Sequence, residues 1–408
     1  MRFCFGFQLC GILLLSGLLS GSYGKELDAY LSEAAFDKGI TEILGDRHPR
    51  ALSNEERFSV AILQFLSGLE TLGRDFYRLG LDSQVGQEVG IPLLRLPIPL
   101  NPKPEQATPA EIYDAFEKFQ SQMKAVQETL GDLDGEAFVL PVAFEEIRLD
   151  INGDGQLGDY EYLHQIYVTY NRRAEELFQD DGDPLIIAFD LGDAYWLKGY
   201  SHLLHALTDC LMAYDWKGAY EVSSHLFFQD VDSEIGQYLN ENQAERFGDW
   251  ADLIAAVHSI NLPLARPKRM KSAHDQLFQV IECSRRSWER IEEETDDQDE
   301  WIPNPNQTGI TGFRISAEMV ETWKLFLDEF ELILEGERLI PHWRFRKGIG
   351  VNLKTVFTKP KPFDLVLWVQ GSAAIPYLEE GEVTSEETWR TINGTFRGNF
   401  IGFAIWIN

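Results

Sequence analysis

Two histidines and an aspartate share one face of a predicted helix, in an arrangement suited to catalysis or metal binding. His202, His205 and Asp209 follow one another at spacings of three and four residues, which places them on the same side of a helix. Such side chains are able to bind a transition metal, or to act as an imidazole base with a carboxylate that orients it. Apolar residues flank this face, which indicates that the polar groups line an interior pocket. The alternative is a solvated face, or histidines held by internal hydrogen bonds.

A second candidate is the segment DINGDGQLGDYE, which runs from Asp150 to Glu161. It resembles the calcium-binding loop of EF-hand proteins at every defining position. The resemblance implies that five residues supply oxygen ligands to Ca²⁺: Asp150, Asn152, Asp154, Gln156 (through its main-chain carbonyl) and Glu161. It also implies a sharp turn at Gly155, a bidentate Glu161 carboxylate, and a water ligand in place of the side chain that Gly158 lacks.

Helical patterns flank this loop and predict an EF-hand-like helix-loop-helix. The first pattern is short and runs from Pro141 to Leu149, and the second includes Leu163 and Tyr167. No second loop of this kind occurs in the sequence, although EF-hands normally pair. We therefore expect calcium to act as a structural clip rather than as a signal. The alternative is an Asp/Asn/Gly turn that binds no ion.

The charge of the chain is strongly acidic, with a formal net charge of −30. This excess makes broad binding to nucleic acid or to an anionic membrane a poor expectation. Two stretches, residues 253–274 and 338–363, contain no carboxylate side chain. Arg344 and Arg346, in the second stretch, suit an anionic ligand such as an acidic glycan. The alternative is that these cations offset the neighbouring acidic helices.

The dominant pattern in the chain is an apolar spacing of four and three residues, which is typical of helices that bury one face. It predicts helices near residues 53–79, 108–130, 190–214, 247–257, 270–292 and 316–335. Alternating strand patterns are rare, and occur near residues 350–357 and 400–407. We therefore predict a mainly α fold, a multi-helix bundle or array with little β-structure near the C-terminus. Residues 25–408 are expected to form one helical domain.

The first 24 residues have the features of a secretory leader. Arg2 precedes an apolar run, and small residues follow it, with a cleavage site expected near Gly24. An uncleaved anchor is the alternative, but no later segment is long and apolar enough to span a bilayer. Cys210 and Cys283 are the cysteines that remain after cleavage. They are expected either to form a disulfide or to be buried thiols.

These patterns favour an exported, secreted or periplasmic, calcium-binding helical protein. The alternative is a helical hydrolase or metal-dependent enzyme that uses His202, His205 and Asp209. The sequence contains no nucleophile elbow, phosphate loop, zinc-protease helix or dinucleotide fingerprint. Whether the protein is an enzyme therefore stays open at this point.

Overall fold

Helices form most of the described part of the chain, as a computed structural model shows. It describes residues 26–83, 97–133, 135–170, 178, 185–235, 238, 250–310, 314–398 and 400–406. The predicted leader, residues 1–24, lies outside the described residues. The helices are α1 Phe36–Leu44, α2 Asn54–Arg78, α3 Pro109–Thr129, α4 Leu163–Tyr170, α5 Leu191–Met212, α6 Lys217–Phe227, α7 Trp250–Ser259, α8 Pro267–Glu293, α9 Ala317–Glu335, α10 Leu353–Thr358, α11 Leu365–Gln370, α12 Glu386–Thr395 and α13 Phe400–Trp406. The predicted mainly α fold is confirmed.

The strands are short and pair in small antiparallel sheets. They are β1 Leu140–Ala143, β2 Ile186–Phe189, β3 Asn261–Leu262, β4 Ile340–Pro341, β5 Ile349–Val351, β6 Phe363–Asp364 and β7 Leu378–Glu380. Strand β1 pairs with β2, β3 pairs with β6, and the third sheet has the order β4-β5-β7. None of the described helices is both long and apolar enough to cross a membrane.

The long helices begin where the sequence supplies a cap. The Ser53 hydroxyl accepts a hydrogen bond from the Glu56 main-chain N–H at 3.2 Å, and the Glu56 carboxylate accepts one from the Ser53 N–H at 2.9 Å. Thr108 caps α3 in a similar way, with a proline at the first helical position. Each cap gives an acceptor to a first-turn N–H group that lacks a partner within the helix. The predicted helix starts at residues 53 and 108 are therefore confirmed.

Helix α5 packs against both α8 and α3. A Cβ atom added at Gly199 would lie 3.0 Å from the Cys283 Cβ, so α5 and α8 approach closely at this point. One apolar cluster joins α2, α3 and β1, and a second joins α8, α9, α12 and α13. Trp196 and Trp301 pack against both clusters, which links the two halves of the core.

Two predicted elements are wrong. The segment from Pro141 to Leu149 is no helix: β1 and a single 3-10 turn, Phe144–Glu146, occupy its first part. Proline disfavours a helix interior, and β2, more than 40 residues later, supplies the partner that pairs the backbone of β1. The predicted strand near residues 400–407 is helix α13, whose Phe403 is 3% exposed and packs on Trp323. In the other predicted strand region, only Ile349–Val351 is a strand.

Candidate functional site

The loop from Asp150 to Glu161 is closed at its base by the main chain. The Leu149 N–H donates to the Glu161 carbonyl at 2.8 Å, and the Leu163 N–H donates to the Ile147 carbonyl at 2.8 Å. These contacts hold the two ends of the loop together as a short antiparallel pair, with α4 starting two residues after Glu161. The loop therefore lies between an extended segment and a helix, rather than between two helices.

Within the loop, each side chain at the first, third and fifth positions accepts a hydrogen bond from a later N–H group. The Asn152 Oδ1 accepts from the Asp154 N–H at 2.8 Å, and the Asp154 Oδ1 accepts from the Gln156 N–H at 2.7 Å. The Asp150 Oδ2 accepts from the Gly155 N–H at 3.2 Å. Gly155 has φ 73°, a left-handed conformation that favours glycine, and this confirms the predicted turn.

The Glu161 side chain is completely buried and points back into the loop. Its Oε1 accepts from the Ile151 N–H at 3.0 Å and the Asn152 N–H at 3.4 Å, and its Oε2 accepts from the Gly158 N–H at 2.7 Å. Burial raises the pKa of this carboxyl, and these N–H groups act in the opposite direction. Main-chain contacts thus fix both oxygens of the residue that the resemblance makes a bidentate ligand.

Helix α2 holds the first residue of the loop, a contact that the sequence reasoning missed. The Glu70 Oε1 accepts from the Asp150 N–H at 2.8 Å. Arg74 donates from Nε to the Asp150 carbonyl at 2.8 Å and from Nη2 to the Asp150 Oδ2 at 2.9 Å. Burial raises the pKa of Glu70 to about 7. The available signal was a Glu–Arg pair four residues apart on α2, but nothing in the sequence indicated its partner.

The donor chemistry of the loop fits a hard divalent cation. The Asp150 Oδ1 is buried without a hydrogen-bond partner, and a buried carboxylate oxygen of this kind requires a compensating charge or donor. Carboxylate, amide and main-chain oxygens are the ligands that calcium prefers. Across the described ranges, however, no three or more His, Cys, Asp or Glu side chains come together closely enough to hold a metal. A cation bound in this loop would therefore need amide and main-chain oxygens as ligands in addition to the carboxylates.

The two predicted site histidines contact different helices. The His202 Nδ1 lies 2.5 Å from the Gln276 Oε1 on α8, and burial lowers the pKa of His202 to about 4. The His205 Nδ1 lies 3.3 Å from the Gln127 Nε2 on α3, and burial also lowers its pKa. Both histidine residues are less than a tenth exposed. Each is a neutral buried group whose partner is a glutamine from a neighbouring helix.

Asp209 is the centre of a buried polar network between α3, α5 and α8. Its Oδ1 accepts from the Arg269 Nη1 and from the Gln120 Nε2, each at 2.9 Å. Its Oδ2 has no hydrogen-bond partner and lies 3.6 Å from the His205 Nε2. The structure thus places His205 beside Asp209, as the helical spacing requires, but their other contacts tie three helices together.

A cleft of about 360 Å³ opens beside α5, along the part of the helix that precedes His202. Tyr195 and Lys198 line it from α5, and Arg286 and Arg290 line it from α8. The Lys198 Nζ donates to the Gly131 carbonyl at 2.6 Å. His202, His205 and Asp209 are not among the residues that line this cleft.

The remaining candidates are exposed or unreactive. Arg346 donates to the Glu380 Oε1 at 3.1 Å, and the Arg344 guanidinium lies 5.0 Å from the Trp343 ring centroid. An anionic ligand at these arginines stays a prediction.

Cys210 and Cys283 are free thiols. Burial raises the pKa of both, to about 12 and about 11 respectively, which keeps them protonated.

A carboxyl cluster at the start of α5 was also missed by the sequence reasoning. Asp190 caps the helix and contacts Glu294, while Asp193 and Glu300 are at least nine-tenths buried nearby. Burial raises the pKa of Asp193 and of Glu294 well above their usual range, and that of Glu300 to about 7. At neutral pH, part of this cluster is therefore protonated.

Comparison with known proteins provides no relative on which to base a function. No known protein family matches the chain, and neither a curated protein nor a solved structure matches it. Functional inference therefore rests on the residues and contacts described above.

Proposed function

We propose that this chain is an exported calcium-binding protein, in which Ca²⁺ acts as a structural clip at the loop from Asp150 to Glu161. One observation carries the proposal: the Asp150 Oδ1 is buried without a partner, in a loop whose own N–H groups bind the carboxylates of Asp154 and Glu161. A cation bound there would satisfy this oxygen. Export is inferred from the leader pattern in residues 1–24 alone.

The clip would join parts of the chain that are distant in sequence. Asp150 is held by α2, whereas Glu161 lies just before α4. The formal charges of Asp150, Asp154 and Glu161 repel one another, and calcium, which takes six to eight oxygen ligands, would relieve that repulsion. The proposed ligands are Asp150, Asn152, Asp154, the Gln156 carbonyl and Glu161. At about 100 times its Kd, the ion would stabilise the fold by about 2.7 kcal/mol.

The test is a calcium titration by calorimetry, together with thermal melting in chelator and in excess calcium. We expect saturable binding of one calcium and a Tm that rises with calcium and falls with chelator. Glu161→Gln should remove most of both responses. Asp159→Asn is the matched control, because it removes one charge from an exposed position of the same loop that is not a proposed ligand. Wild-type protein that binds no calcium at millimolar concentration would refute the proposal.

A further inference from the structure

Two residues of α2, one helical turn apart, reach the first position of the loop. Glu70 and Arg74 contact each other, with 3.2 Å between the Glu70 Oε1 and the Arg74 Nη2. Between them they bind the N–H, the carbonyl and one side-chain oxygen of Asp150. The helix that carries them is capped at Ser53 and buries Leu72 and Phe76 completely. Its position is therefore fixed by the core, independently of the loop.

These contacts leave Asp150 with a single free polar atom. The Oδ2 accepts from Arg74 and from the Gly155 N–H, while the Oδ1 has no partner. Because the main chain and Oδ2 are both held, rotation of the carboxylate is blocked and Oδ1 keeps one orientation. Asp150 is only 7% exposed, so water does not replace these partners.

The opposite charges of Glu70 and Arg74 suit residues that position a ligand of a cation. Arg74 alone would place a positive charge beside Asp150 and compete with a bound cation, whereas the Glu70 carboxylate, when ionised, offsets that charge. The guanidinium is planar and presents its N–H groups in a fixed fork. It therefore binds the carbonyl and the Oδ2 of Asp150 at the same time, which the single ammonium of a lysine does not reproduce.

We propose that Glu70 and Arg74 are the positioning residues of the calcium loop. The segment before the loop is a strand and a 3-10 turn rather than a helix, and α2 supplies the support for Asp150. This inference rests on the proposed function. Contacts of this kind around a metal ligand are typically worth a factor of 10 to 100 in metal affinity.

The test compares calcium Kd values by calorimetry for the wild type, Arg74→Lys and Arg78→Lys. Arg74→Lys keeps the charge and loses the fork, so we expect its Kd to rise about tenfold. Arg78 lies one turn further along α2 and pairs with Asp75 and Glu105 rather than with the loop. Its lysine variant should keep the wild-type Kd within about twofold.

Glu70→Gln is a second variant, which keeps an acceptor for the Asp150 N–H and leaves the charge of Arg74 unbalanced. We expect its calcium Kd to rise several-fold. This variant tests the inference even if Arg74→Lys does not fold. Melting in chelator separates positioning from stability: a lower Tm with an unchanged Kd in both variants overturns the inference. If the wild type binds calcium and both variants have the wild-type Kd, only this inference fails. If the wild type binds none, the proposed function fails as well.

Discussion

Breaking the buried ion pair between Arg269 and Asp209 should strongly lower the free energy of unfolding. The two groups are 2.9 Å apart, and their side chains are 20% and 2% exposed. Arg269→Met removes the cation but leaves the carboxylate buried, with Gln120 still donating to it. Removal of one partner from a buried pair costs about 3–5 kcal/mol, because the remaining charge has lost both water and its counter-ion. We expect a loss of about 3 kcal/mol or more in the free energy of unfolding.

Two further variants test the physical reason for this loss. Arg286→Met is the matched control on the same helix, since Arg286 pairs with Glu289 at 3.7 Å and both side chains are more than half exposed. Exposed pairs contribute about 0–1 kcal/mol. Adding Asp209→Asn to the Arg269→Met variant removes the unpaired charge, so the double variant should be more stable than Arg269→Met alone.

The assay is urea unfolding followed by far-ultraviolet circular dichroism, with calcium held constant in all samples. The loss should appear as a lower midpoint at an unchanged m value. An Arg269→Met variant as stable as Arg286→Met would refute the reasoning. It would mean that Asp209 does not remain a buried and uncompensated charge when Arg269 is removed.

Two other predictions concern the carboxyl cluster and the contact between α5 and α8. The pKa of Glu300 is raised by burial from 4.5 to about 7, so the folded state retains a proton that the unfolded chain releases. The contribution of Glu300 to the free energy of unfolding should therefore fall as pH rises from about 4.5 to about 7. Measured in chelator, Glu300→Gln should remove that contribution, whereas the exposed control Glu289→Gln should leave it in place. Gly199→Ala should be less stable than Gly218→Ala by about 1–3 kcal/mol in urea unfolding, because its Cβ would meet that of Cys283 at 3.0 Å. Gly218→Ala, in open space on α6, should not be destabilised.

Much of the helical framework was predictable because its signals are local. The apolar spacing in α2 lies within one helix, and the caps at Ser53 and Thr108 act on N–H groups three residues later. The turn at Gly155 and the oxygens that bond later N–H groups of the loop also depend on neighbours within a few residues. Local contacts of this kind are encoded in the spacing of residue types, and the sequence determined them without knowledge of the fold.

Only the tertiary structure decided which distant groups meet. The strand at Pro141 depends on β2, and the orientation of Asp150 depends on Glu70, 80 residues earlier. His202 and His205 share a helical face, yet they bond glutamines from two different helices. Spacing along a helix specifies which side chains are neighbours on it, whereas their partners depend on how helices pack. Packing is set by the burial of the whole core, so no single segment of the sequence contains that information.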